Sequence, residues 1–372
     1  MLKRVVCLST VILCVIIVYS SGWCARDDSK FDSWYDDQNV LAPTFFKTEN
    51  ELYSVGKWRE AYDQWLQQAW QGDLYAMATL PALTVTYTDQ TWPVPAEFWE
   101  HWVLDLLGEA EGSYVLGSQY ALITQTRKKG EALAAKKKAE DFFLRSALAG
   151  HLPGMYATSL TAEDRRDRPF IPPPTPHVEP LPVRFMPTDT NGEARYWLTR
   201  AADAGYWKAA GFLALGYTTP SHGEPDYAQA ERYGIIAAKN GFREGALLVA
   251  YSYLEGKFHK MNRCEGFYNY AFLADRIHND GILTEQNKNK QLLIMRGDIK
   301  ISKDQIVSGN EVCLKDEVIA AGVAESKRLY DAWKARDDEA GLQKKELYDK
   351  AKARIPEVKA AYEKVVQADK KK

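Results

Sequence analysis

The sequence predicts an all-α chain, a solenoid of stacked helix-turn-helix repeats with a capping helical extension at its C-terminus. Three observations carry this. First, residues 194–217 recur at 230–253 with an offset of 36: Trp197 matches Tyr233, Ala201-Ala202 matches Ala237-Ala238, Gly205 matches Gly241, Leu213-Ala214 matches Val249-Ala250, and Tyr217 matches Tyr253. A fixed period of this length marks tandem helical units. Second, glycines punctuate the chain at similar intervals, with Gly72, Gly112, Gly150, Gly205, Gly241 and Gly281 as the expected turns inside each unit. Glycine ends a helix in the left-handed conformation without a Cβ clash. Third, the residues before these glycines are apolar at steps of three and four, as in Trp65-Leu66-x-x-Ala69 and Phe142-Phe143-Leu144-x-x-Ala147, which places them on one helical face.

The elements follow in order. Residues 1–22 read as a secretory signal peptide. Lys3 and Arg4 precede the uncharged run Val5 to Tyr19, and the small residues Ser20-Ser21-Gly22 suit cleavage. The competing reading is an uncleaved anchor, although the run is shorter than the ~20 residues of a membrane span. Residues 23–50 are expected to form a flexible, acidic and aromatic lead. Residues 51–163 read as degenerate helical repeats. Residues 164–190 form a proline-rich loop with Pro169, Pro172, Pro173, Pro174, Pro176, Pro180, Pro182 and Pro187, through which neither helix nor central strand can pass. Residues 191–333 hold the clearest repeats and a closing helix. Residues 334–372 form a charged helical tail, expected either to cap the stack or to protrude toward a partner. Glu325 to Lys372 carries 14 basic and 10 acidic residues.

The segments Trp197 to Tyr217 and Tyr233 to Gly256 resemble the Sel-one-like repeat family, a branch of the tetratricopeptide superfamily. There an aromatic and alanine helix ends in Ala-Ala-x-x-Gly and is followed by Ala-x-x-Leu-Ala-x-x-Tyr. Phe142 to Gly150 matches the first helix only, and Asp316 to Trp333 resembles the closing helix of exported bacterial members. The resemblance implies a right-handed superhelix and an adaptor role at the bacterial envelope, and it brings no catalytic residues to positions here. This chain departs from the pattern after the turn glycine. The family favours a small polar residue there, and this chain has Tyr206-Trp207 and Phe242.

The remaining chemistry narrows the function. A formal net charge of −2 gives no electrostatic footprint for nucleic acid. After the signal, Cys24, Cys264 and Cys313 remain. Cys264 and Cys313 flank an irregular segment and are expected to pair, the alternative being three reduced thiols. The six histidines include no His-Glu-x-x-His pattern, and the three cysteines lack zinc-ligand spacing; no metal and no cofactor is expected. His151 reads as surface decoration, and Glu109 and Glu111 beside Gly112 as solvated turn carboxylates. The expected function is a non-enzymatic scaffold, periplasmic or secreted, with no stable membrane span after signal cleavage. It would hold a protein or peptide partner of the cell envelope on a concave face, with Tyr206, Trp207 and Phe242 as the binding residues. The alternative is a peptidoglycan-associated glycan-binding module or enzyme on the same repeats.

Overall fold

The computed structural model describes residues 57–87, 90–125, 133–162, 169–173, 192–219, 224–303 and 313–371, without the side chains of 123–125 and 295–303. The segment expected to be a signal peptide, the expected lead with Cys24, and the proline-rich stretch apart from 169–173 lie outside the described residues. The chain divides into two compact units, residues 1–64 and 65–372. Of the first, the described part is Lys57 to Gln64, the opening turns of a helix.

Among the described residues every regular element is an α-helix: α1 Trp58–Trp70, α2 Leu74–Thr86, α3 Ala96–Gln125, α4 Leu133–Leu148, α5 Leu152–Thr161, α6 Glu193–Asp203, α7 Trp207–Thr218, α8 Tyr227–Lys239, α9 Arg243–Leu254, α10 Arg263–His278, α11 Glu285–Lys303, α12 Asp316–Ala353 and α13 Ile355–Asp369. From α2 to α10 each helix packs on the next in sequence order. No helix among these is long and apolar enough to cross a membrane.

The repeat chemistry explains the packing. Ala201, Ala202, Ala209, Ala210, Ala237 and Ala238 are at most 1% exposed, so facing backbones approach closely. The bulky residues fill the space between pairs. Tyr217 at the end of one pair stacks on Tyr233 of the next, 6.0 Å apart and 4° from parallel. Tyr253 stacks on Tyr270 in the same way, and Tyr120 on Phe142. The third stack shows that α3 and α4 use the same joint although their sequences match the template loosely. Within α3 the turn falls at Gly108 (φ 77°, ψ 168°), correcting the expectation of Gly112, which is buried inside the helix against the backbone of Val103 and Leu104. Gly108 lies 36 positions after Gly72, the interval that separates Gly205 from Gly241.

The C-terminal part does more than cap the stack. The first half of α12 runs parallel to α10. Cys264 is bonded to Cys313 with Cα atoms 5.1 Å apart, Arg276 Nε donates to Ser326 Oγ at 3.1 Å, and the Tyr330 hydroxyl donates to Asp280 at 3.0 Å. Helix α11 lies outside this ladder, tied to α10 where Gln291 donates to Asp275 at 2.9 Å. Past Tyr330, α12 continues over the turns of earlier pairs. Trp333 covers Gly241, and Arg336 donates to the carbonyl of Lys239 at the end of α8, 2.8 Å away. Residues 335–343 are then all exposed. Beyond them the helix meets the first pairs again: Lys344 and Tyr348 reach Glu111 on α3, and Lys352 covers Gly72. The chain bends at Arg354, where Pro356 suits the first turn of α13 because its missing amide would be unsatisfied there anyway.

Candidate functional site

The residue after each turn glycine decides what the edge of the stack presents. The turns share one backbone pattern: Gly205 N–H donates to Ala202 O and Tyr206 N–H to Ala201 O, and Gly241 and Phe242 repeat this with Ala238 and Ala237. The following residue is the N-cap of the second helix. Asp73 fills that position conventionally, accepting from Tyr75 N and Ala76 N. His151, Tyr206 and Phe242 occupy it without a side-chain cap. They forgo a cap contribution of about 1 kcal/mol; Tyr206 and Phe242 place a ring at the edge instead, and His151 turns toward Glu111.

The Tyr206 and Phe242 rings join a ladder with Tyr156 and Trp207. Tyr156 lies 5.5 Å from Tyr206, Tyr206 lies 6.3 Å from Trp207, and Trp207 lies 5.0 Å from Phe242. All four are half-buried. The ladder thus crosses three pairs, from α5 to the start of α9. Phe242 is wedged between Gly211 and Gly245, where an added Cβ would collide with it. Trp207 carries the Lys208 ammonium 4.8 Å from its ring. Phe242 therefore serves packing between pairs, and Trp207 is half-buried beside a cation.

The chain matches no known protein-family profile, no curated protein and no solved structure.

A second cluster centres on Glu111, whose side chain is 12% exposed. His151 Nε2 lies 3.1 Å from one carboxylate oxygen. The other receives Lys344 Nζ at 3.0 Å and the Tyr348 hydroxyl at 2.8 Å, and that hydroxyl lies 3.3 Å from the Tyr75 hydroxyl. Burial alone would push the Glu111 carboxyl up. The His151 hydrogen bond and the Lys344 ammonium outweigh it and hold the group at about 2. Burial, then the Glu111 carboxylate, push the Tyr348 phenol far above its ordinary range.

His151 Nδ1 is 3.2 Å from Ser146 Oγ, so Ser146, His151 and Glu111 stand in the order of a hydrolase triad. Their environment does not equip them for acyl transfer. Ser146 is 0% exposed, and its hydroxyl donates to the carbonyl of Ala110 at 2.8 Å. A nucleophile must instead present its oxygen to substrate with its proton aimed at the base. The cluster is a buried junction between α3, α5 and α12.

Glu111 and His151, expected in solvent, are instead largely buried, with side chains 12% and 20% exposed. Glu109, the other member of the expected surface pair, does lie at the surface, where Arg145 grips it at 2.8 Å and 3.1 Å. The signal for Glu111 was the 36-residue step from Gly72 to Gly108. Taken as the turn, Gly108 puts Glu111 inside the second helix of its pair. Similar buried acids recur: Glu100 accepts from Tyr120 at 2.5 Å and from Lys138 at 2.9 Å, and Glu231 accepts from Tyr253.

Proposed function

We propose that this chain is a non-enzymatic scaffold of the bacterial cell envelope, built of right-handed Sel-one-like repeats, that holds a protein or peptide partner. The contact residues are Tyr206, Trp207 and Phe242. The observation that carries this reading is the aromatic ladder. Tyr206 and Phe242 occupy N-cap positions where a polar side chain would stabilise the helix, and Tyr206 and Trp207 stay half-buried at the edge next to Lys208. Large rings fixed on a rigid edge lose little entropy when a partner packs on them, and Trp and Tyr dominate interface energetics. The Cys264–Cys313 bond fits an oxidising compartment.

The test compares immobilised wild-type chain with Trp207→Ala in capture from an envelope extract, alongside sedimentation with purified peptidoglycan. The scaffold reading expects defined protein partners retained by wild type, lost from the variant, and no sedimentation. Sedimentation abolished by Trp207→Ala would instead favour the glycan-binding alternative. Equal capture by both chains would remove the ladder as the contact site.

A further inference from the structure

The strongest unexplained feature lies away from the aromatic ladder, where the end of the chain docks on its first helices. The docked face of α12 and α13 is a stripe: Tyr348, Ala351, Ile355 and Val358 are at most 5% exposed, at steps of three, four and three. Tyr362 continues it into a nest of rings, 5.4 Å from Trp70, 6.1 Å from Phe98 and 5.6 Å from Trp99. Charges flank the stripe in complementary pairs. Lys344 meets Glu111 at 3.0 Å, and Arg354 meets Asp105 at 2.8 Å. This is the pattern by which an amphipathic helix is read in a groove, with apolar anchors at helical spacing and charges at the rim.

What joins this docked segment to the rest of α12 is weak. Residues 335–343 are exposed, with Arg336 holding the Lys239 carbonyl near their start; Leu342 is 64% exposed, and Gly341 has open space around it. An exposed glycine in a helix interior costs about 1 kcal/mol relative to alanine, so the helix yields there first. The N-terminal half of α12 is held independently by the disulfide, Arg276 and Trp333.

We infer that the surface formed by Trp70, Tyr75, Phe98, Trp99 and Glu111 is a receptor site for an amphipathic helix, and that residues 344–369 of this chain occupy it in cis as a releasable latch hinged at Gly341. The partner it fits is a helix carrying a lysine and a tyrosine four residues apart, followed by an aliphatic and aromatic stripe. A tethered occupant acts at an effective concentration in the millimolar range, so an external helix binds only after the latch has been weakened. The apparent affinity falls with the fraction of open chain.

The probe is a fluorescent peptide of residues 340–369, titrated by anisotropy into the full-length chain. Val358→Asp in the full chain damages the latch and leaves the receptor surface untouched. The expected result is that this variant binds the peptide at least tenfold more tightly than wild type does. A peptide carrying Tyr348→Ala and Val358→Asp binds neither chain. Arg354→Asp, a surface change that sets like charges against each other at Asp105, gives a smaller gain in the same direction. If Val358→Asp loses its helical circular dichroism, Arg354→Asp decides by the same criterion. Equal binding to wild type and variants, or no binding to a folded variant, overturns the inference.

Discussion

At the scale of single residues, Glu111 shows how little a local pattern says about a buried charge. The flanking sequence Glu109-Ala-Glu111-Gly112 has the look of a polar turn, yet only Glu109 stays at the surface. Glu111 gathers an imidazole from the start of α5 and an ammonium and a phenol from α12, and it is stable as a carboxylate because both of its oxygens have partners. The consequence for acid stability has a definite sign. The folded carboxyl sits at about 2, below the ordinary value of 4.5. The unfolded chain therefore binds the proton more readily, and the carboxylate's contribution is complete above about pH 4.5. It is lost as pH falls through the window from 4.5 to 2, and its size is on the order of 3 kcal/mol. Thermal melts between pH 7 and pH 2 check this. Glu111→Gln lowers stability by about 3 kcal/mol at pH 7, and below pH 4.5 its melting temperature falls less steeply than that of wild type. Parallel acid limbs for the two chains would show that another carboxylate governs acid unfolding.

At the scale of elements, legibility follows how local the determining contacts are. The pairs α6–α7 and α8–α9 can be read from the sequence because alanine, glycine and tyrosine recur at fixed positions, and their repeated residues pack on the neighbouring copy. The pairs before α6 lack the full alanine set, so Gly112 competes with Gly108 as the turn, and only backbone geometry separates them. The rings at Tyr206, Trp207 and Phe242 were visible as departures from the repeat pattern. Their joining into a ladder with Tyr156 was not, because Tyr156 lies across the proline-rich insertion. The Cys264–Cys313 pairing was expected from cysteines flanking a segment read as irregular; the bond forms, but the segment between them holds most of α10 and all of α11. The bond closes a loop of about 50 residues containing α11, and it fixes the start of α12 parallel to α10. In the chain-entropy account such a bridge stabilises by about 4 kcal/mol. The double substitution Cys264→Ser with Cys313→Ser should lower stability by that order in denaturant titrations. Hydrogen exchange should quicken first in α11 and the opening turns of α12, while α6 and α7 keep their protection. Uniform loss of protection over α6–α9 would mean that the bridge supports the stack as a whole.

At the scale of the unit from Trp65 onward, the decisive contacts join residues far apart in the chain, and periodicity cannot reveal them. The apolar sides of residues 318–333 and 355–365 could be read from their spacing, but nothing in the spacing says that one packs on α10 and the other beside α3. In a simple solenoid each repeat touches only its neighbours, so stability is a sum of local terms. Here α12 touches both late and early pairs, at Trp333 and at Tyr348. Those residues are 15 positions apart on one helix, about 22 Å at 1.5 Å per residue. If α12 is one rigid rod, removing either contact weakens the other, and the effects of Trp333→Ala and Tyr348→Ala are coupled despite the distance. If the exposed segment 335–343 yields, the two ends dock separately, and the effects add within about 0.5 kcal/mol, as for distant independent sites. The exposure of residues 337–343 and the open space around Gly341 favour additivity. A double-mutant cycle in denaturant, with both single variants and the pair, distinguishes the cases. Repeating the cycle in a Gly341→Ala background, where the hinge is stiffened by about 1 kcal/mol, should raise the coupling. A large coupling already present with Gly341 in place would mean that α12 binds the stack as a single rigid element.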